Sequence, residues 1–139
     1  MSASWREFSC EDIDFPVWVS SEGEVRIGAR VITQSNGRTV YSRVVPPRKL
    51  KPVKNSCGYF QIKIHSRGKA RRFYVHRLVA ALFVDNPSDL VEVDHLDGDK
   101  SNNEARNLRW VTRAENMAKC HRDNPHVLQN LKYYRPVVM

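Results

Sequence analysis

"VEVDHLDGDKSNNEARNLRW", residues 91–110, gathers five carboxylates and three asparagines around a single histidine, His95, in a chain whose formal net charge is +8. Its first residues, with Leu90, form the apolar-polar alternation "LVEVDH" of a short strand, and "NLRWVT" at 107–112 reads as a second. Between them "LDGDKSNNEAR" is a polar loop in which Asp97 and Asp99 shape a turn around Gly98 and Asn102 and Asn103 serve as loop hydrogen bonders. Thr112 followed three residues later by Glu115 has the form of a capping box, so "RAENMAKCHRD" is expected to be a helix. The unit is therefore strand, loop, strand, helix, with Asp94 and His95 closing the first strand. Taken alone, an Asp-His pair is an ordinary turn feature, so the flanking sequence has to decide its meaning.

Immediately upstream, "HRLVAALFV" at 76–84 carries Leu78, Val79, Leu82 and Phe83 at helical spacing and is stopped by Asn86-Pro87, which predicts a core helix. Before it, "GYFQIKIH" alternates Phe60, Ile62 and Ile64 with Gln61, Lys63 and His65, and after the turn "SRGK" the strand "ARRFYV" completes a hairpin with a basic outer face. Further out, "PPRKLKPVKNS" at 46–56 has three prolines and four cations and reads as an extended connector or sheet edge. The N-terminal part reads as a small antiparallel meander: "FPVWV", a glycine turn, "RIGARVITQ", the Asn36-Gly37 hairpin turn, and "TVYSRVV".

The charge is segregated along the chain. From Val25 to Val84 there is no Asp or Glu, yet 14 of the 23 Lys and Arg residues lie there. A field of one sign suits a polyanion, because each phosphate neutralised by a cation releases condensed counterions. The candidates for phosphate contact are Arg43, the connector residues Arg48, Lys49, Lys51 and Lys54, the hairpin residues Lys63, Arg67, Lys69, Arg71 and Arg72, and His76 and Arg77 at the start of the helix. The cations sit on strand-like stretches and not on an amphipathic helix, which points to nucleic acid before an anionic membrane.

The remaining composition narrows the class. The chain has 139 residues, 41% hydrophobic and 27% charged, which suits one compact domain with a core and no disordered composition. No apolar run is long enough for a membrane span, and the start "MSASWREFSCEDIDF" lacks the pattern of a secretory signal, so a cytoplasmic protein is expected. Cys10, Cys57 and Cys120 are odd in number and far apart, which argues against a disulfide framework or a structural zinc site.

Residues 58–116 resemble HNH endonucleases of the phage and intron homing type, through "VHRLVA", "NP", "VDHLDGDKSNN", "NLRWVT" and "EN" in that order and at that spacing. "VWVSSEGEVR" is a fainter match to a module found beside such nucleases. The resemblance implies a ββα-metal core in which His95 is the general base and Asn107 the central asparagine that orders the loop and orients the base. It likewise implies that Asp94 and Asn116 are ligands of one divalent ion. Many family members have histidine where this chain has Asn116. One carboxylate and one amide oxygen favour Mg²⁺ or Mn²⁺ over zinc. His76, also matched, is read as structural or DNA-contacting.

The expected protein is thus α+β: an N-terminal basic antiparallel β region with its Pro-rich connector at 1–57, a nuclease core at 58–122, and a C-terminal tail at 123–139. The expected activity is metal-assisted hydrolysis of DNA phosphodiesters, one strand per site, with a homodimer as one route to a double-strand break. The rivals are a non-catalytic DNA-binding regulator that keeps the fold, which Asn116 permits, and an RNA-binding protein or RNase using the same basic β surface.

Overall fold

Val17, Val19, Val25 and Ile27 alternate with exposed Trp18 and Arg26, so two short strands turn one apolar face to the interior. In the computed structural model, which describes residues 3–123, these are β2 (Val17–Ser20) and β3 (Val25–Ile27) of a sheet whose outer strand is β1 (Trp5–Phe8). The chain then leaves this sheet for a separate hairpin, β4 (Arg30–Ser35) and β5 (Val40–Val45), and returns with β6 (Arg48–Leu50) paired antiparallel to β3. The Pro-rich connector therefore supplies an edge strand, anchored by buried Leu50.

The single strand expected over 26–34 is broken at Gly28. Its N–H donates to the Pro16 carbonyl at 2.7 Å, and a Cβ there would meet the Pro16 ring at 3.2 Å. That close backbone approach needs glycine and turns the chain out of the sheet. Trp5–Phe8, not expected as a strand, pairs with β2 because Phe8 packs against the core.

A second sheet contains β7 (Val53–Lys54), β8 (Phe60–Ser66) and β9 (Lys69–Tyr74). β9 runs directly into α1 (Val75–Phe83), whose buried face is Val75, Leu78, Val79 and Ala80. This helix packs against β2, β8 and β9 and against the strand β11 described next, so a single core joins the N-terminal sheet to the rest. Side chains as fully enclosed as Val79 and Ile62 each contribute about 1.5–3 kcal/mol relative to exposure. After α1, Asn86 accepts from Leu90 N–H and donates to Leu90 O, both at 2.8 Å, closing the turn that Pro87 starts.

The last unit is β10 (Glu92–His95), a 3-10 turn (Ala105–Asn107), β11 (Leu108–Val111) and α2 (Arg113–Asp123). β10 and β11 pair antiparallel with Asp94 opposite Arg109 and His95 opposite Leu108. Thr112 Oγ1 accepts the Glu115 N–H at 3.2 Å, so the cap expected from sequence starts α2. The architecture is the α+β one expected, antiparallel strands first and a ββα unit last. Nearly all of the expected C-terminal tail, residues 124–139, lies outside the described residues.

Candidate active site

The β10-β11 register sends Val93 and Leu108 into the core and puts Asp94 and His95 at the mouth of the loop they open. Both side chains are nearly enclosed, at 6% and 4% exposure. A buried polar cluster is stable only where its hydrogen bonds are met, and here the loop meets them. Asn107 donates through Nδ2 to Asp97 Oδ1 and to the Asn102 carbonyl, each at 2.9 Å, and accepts the Asp97 N–H at 3.2 Å. Its carbonyl takes the Leu96 N–H at 2.8 Å. Asn107 is thus a staple across the loop.

The residue that touches the base is Asn103, whose Oδ1 lies 2.8 Å from His95 Nε2. An amide oxygen only accepts, so Nε2 is the donor of this bond, which fixes the orientation of the ring. Sequence reading grouped Asn103 with Asn102 as a loop hydrogen bonder; the two differ because Asn103 is buried against the β2-β3 turn. Gly23, with φ +91°, leaves just enough room: a Cβ there would meet Asn103 Cβ at 3.1 Å. Ala105 N–H also donates to the Ser21 carbonyl at 2.8 Å. The N-terminal sheet therefore buttresses the loop that orients His95.

The expected metal ligands sit on two elements that pack together, Asp94 on β10 and Asn116 on α2. Asp94 accepts from Arg109 Nε and from Lys119 Nζ, both at 3.0 Å. Asn116, on the first turns of α2, donates Nδ2 to Glu92 Oε2 at 2.7 Å, and that bond turns its Oδ1 away from Glu92. Among the described residues no group of three or more His, Cys, Asp or Glu side chains could hold an ion. What is available is one carboxylate and one oriented amide oxygen, hard donors that fit a Mg²⁺-like cation.

Asp97 and Asp99 form the turn expected of them. Hydrogen bonds from Asn102, the Asp99 N–H and Asn107 hold the Asp97 carboxyl well below its ordinary range, at about 2, and Ser101 lowers Asp99. His76 is buried, 5.1 Å between ring centroids from His95 and stacked on Tyr59 at 5.1 Å. Burial first, then the His95 and Arg77 charges, lower its pKa to about 4, so it is a neutral ring at pH 7, with Nδ1 lacking a hydrogen-bond partner. A cleft of about 230 Å³ opens beside it, lined by Tyr59, Tyr74, Arg77, Glu92 and Asn116 among others.

The basic residues divide by face. On the β8-β9 hairpin, Lys63 stands opposite Arg72 and Gln61 opposite Tyr74, so this outer face runs through Tyr74 and Tyr59 to the His95 ring. Arg71 belongs to the other face, opposite Ile64, and is paired with Asp12; Arg67 at the turn faces Asp14 at 3.5 Å. Lys49 is paired with Glu24 at 2.5 Å, which lowers the Glu24 pKa. Arg77 donates to the Val91 carbonyl at 2.7 Å. Arg43, Arg48, Lys51, Lys54 and Lys69 are exposed without an ion pair among the described residues.

Residues 73–118, the span holding α1, His95 and Asn116, match the family model described as HNH endonuclease. Over those residues the chain is similar to an HNH endonuclease domain. Over 83 residues it is 42% identical to the DNA endonuclease I-HmuI of Bacillus phage SP01, covering 60% of this chain and 47% of that protein. An uncharacterized HNH endonuclease of Acanthamoeba polyphaga mimivirus is 37% identical over 68 residues, 49% of this chain and 21% of that one. The chain thus spans about half the length of I-HmuI, and less of the mimivirus protein. The solved structure of I-HmuI, described as showing DNA binding and cleavage by that HNH homing endonuclease, superposes with a TM-score of 0.62 at 30% identity. That superposition takes in 93% of this chain and 66% of that one, so the similarity extends beyond the HNH domain into the N-terminal sheets.

Proposed function

We propose that the protein is a divalent-metal-dependent DNA endonuclease of the homing type, which nicks or cleaves duplex DNA by phosphodiester hydrolysis inside the cell that a phage infects. The observation that carries this reading is the placement of His95: a nearly enclosed imidazole with Nε2 held by Asn103 Oδ1, at the end of a face lined by Lys63 and Arg72. The relatives support it, since I-HmuI is named a DNA endonuclease.

In this reading His95 Nδ1 takes the proton of the attacking water, and Asn103 and Asn107 hold ring and loop still while it does so. Asp94 and Asn116 would hold one Mg²⁺ or Mn²⁺, which when bound supplies positive charge to the phosphate and the leaving oxygen. Lys63, Arg72, Lys51, Lys54, Lys69, Arg48 and Arg43 neutralise backbone phosphates, joined by Arg77 beside the cleft and by Lys49, Arg67 and Arg71 where their carboxylate partners release them. His76 contributes as a neutral wall behind His95. One site per chain breaks one strand, and a double-strand break needs two chains or two binding events.

The engagement of both Asp94 oxygens by cationic side chains favours a second reading, a DNA-binding regulator that keeps the fold without cutting. Supercoiled plasmid incubated with Mg²⁺ or Mn²⁺ separates the two. Nicked product that disappears with chelator is expected; shifted but intact plasmid under every divalent ion would leave the regulator. Comparing duplex DNA, single-stranded DNA and RNA in the same assay tests the substrate, with duplex cleavage expected.

A further inference from the structure

Lys119 is placed unusually for a lysine. Its side chain is 14% exposed, whereas an ammonium ordinarily reaches for water. It comes from α2, three residues beyond Asn116 and so on the same helix face. From there Nζ donates to Asp94 Oδ1 at 3.0 Å and to the His95 carbonyl oxygen. The other cation on Asp94, Arg109, is 48% exposed and is a cross-strand neighbour in the β10-β11 register. Lys119 alone reaches across from the helix that carries the second candidate ligand.

We propose that the Lys119 ammonium is a resident counter-cation that holds the Asp94 carboxylate ready in the metal-free protein and yields that oxygen to the divalent ion. The inference rests on Asp94 being a metal ligand. A Mg²⁺ or Mn²⁺ ligated by Asp94 would lie about 2.1 Å from a carboxylate oxygen. An ammonium bonded to the same small carboxylate would then face a divalent charge at close range in a nearly enclosed site, so the two occupants exclude each other. Arg109 is half-exposed and its charge is screened by solvent, so it compensates the buried carboxylate only in part, which explains why a second, enclosed cation is kept there until the ion arrives. Lysine suits this part because its flexible stem can withdraw, whereas a planar guanidinium fork is fixed by its geometry.

The test is a thermodynamic cycle on the full chain, with Mn²⁺ as the probe, read by calorimetric binding and by thermal melting with chelator or saturating Mn²⁺. Lys119→Met should melt below wild type without the ion and level with it when saturated, and should bind Mn²⁺ roughly tenfold tighter. Lys119→Gln, which keeps a donor for the His95 carbonyl without the charge, should move both readouts the same way and replaces the Met variant if that fails to fold. Both effects should persist at high salt, where the Debye length falls to about 3 Å and distant charges no longer act.

An Mn²⁺ affinity unchanged in both variants, with equal loss of melting temperature in the presence and absence of Mn²⁺, overturns the counter-cation role. Asp94→Asn separates this from the broader reading. If Mn²⁺ binding needs Asp94 but ignores Lys119, only the present inference falls. If wild type binds no Mn²⁺, or Asp94→Asn binds it as wild type does, the metal-ligand assignment falls and takes this inference with it.

Discussion

The β10-β11 loop and the β4-β5 hairpin are both polar, both near the surface and both built on antiparallel pairs, yet they are opposite kinds of structure. In the loop, His95 is 4% exposed and nearly every donor and acceptor around it has a partner inside the same loop. In the hairpin, the facing pair Val31 and Val44 is 64% and 70% exposed, and the strands are held mainly by each other. The difference teaches where this fold spends its packing: on fixing one imidazole, while the ribbon keeps only the stiffness of its own ladder. Substitutions should therefore separate cleanly, with catalytic losses from the loop and binding losses from the hairpin.

The largest expected break is His95→Ala. Removing a positioned general base costs about 10²–10⁴-fold in rate, so plasmid nicking should fall by that factor. Gel-shift affinity for duplex DNA should stay close to wild type, because the proposed phosphate contacts lie elsewhere. Wild-type nicking by the variant would take His95 out of the chemistry and dissolve the contrast between the two regions.

Asn103→Ala sharpens the same comparison at smaller cost. Without its amide oxygen the imidazole loses the bond that holds its orientation, and the single-turnover rate should drop roughly 10- to 100-fold. The loop staple at Asn107 stays in place, so melting temperature should fall only slightly. A rate drop matched by a large stability loss would instead make Asn103 part of the packing against Gly23.

These two positions also show what the sequence could and could not reveal. The strand, loop, strand, helix unit that carries Asp94, His95, Asn107 and Asn116 was legible from its pattern, whereas the roles proposed for them come from the resemblance to HNH endonucleases. The alternation in β8 and the helical stripe in α1 were equally legible, since Ile62, Ile64, Leu78 and Val79 are all buried as their periodicity requires. Asn103 was not, because two adjacent asparagines look alike until a turn 80 residues earlier, at Gly23, closes over one of them. Lys119 was hidden for the same reason: helical spacing places it near Asn116, but only the packing of α2 on β10 brings it to Asp94. The break at Gly28 depended on a contact with Pro16, which no local pattern announces.

His76 yields a pH dependence confined to the rigid region. Its folded pKa is lowered from 6.5 to about 4, so the unfolded chain binds the extra proton first as pH falls. The stability tied to the neutral ring is complete above about 6.5 and is lost between there and about 4, at up to about 1.4 kcal/mol per pH unit. Denaturant melts of wild type and His76→Gln across that window should converge as pH drops. Parallel curves would mean that the ring takes up its proton without disturbing the site.

The hairpin should give the smallest effect on stability and the most diagnostic one on salt. Arg43 is exposed on β5, opposite Ile32, with no ion pair among the described residues. Arg43→Ala removes no buried contact, so its stability change should lie within about 0.5 kcal/mol. If the side chain neutralises one phosphate, the slope of log affinity against log salt should fall by about 1. The rate at saturating enzyme should not move, because Arg43 lies on a hairpin held mainly by its own ladder. A variant that lowers the saturating rate as much as it weakens binding would show that the ribbon positions the scissile strand, and then the exposed region would share in the precision that its packing denies it.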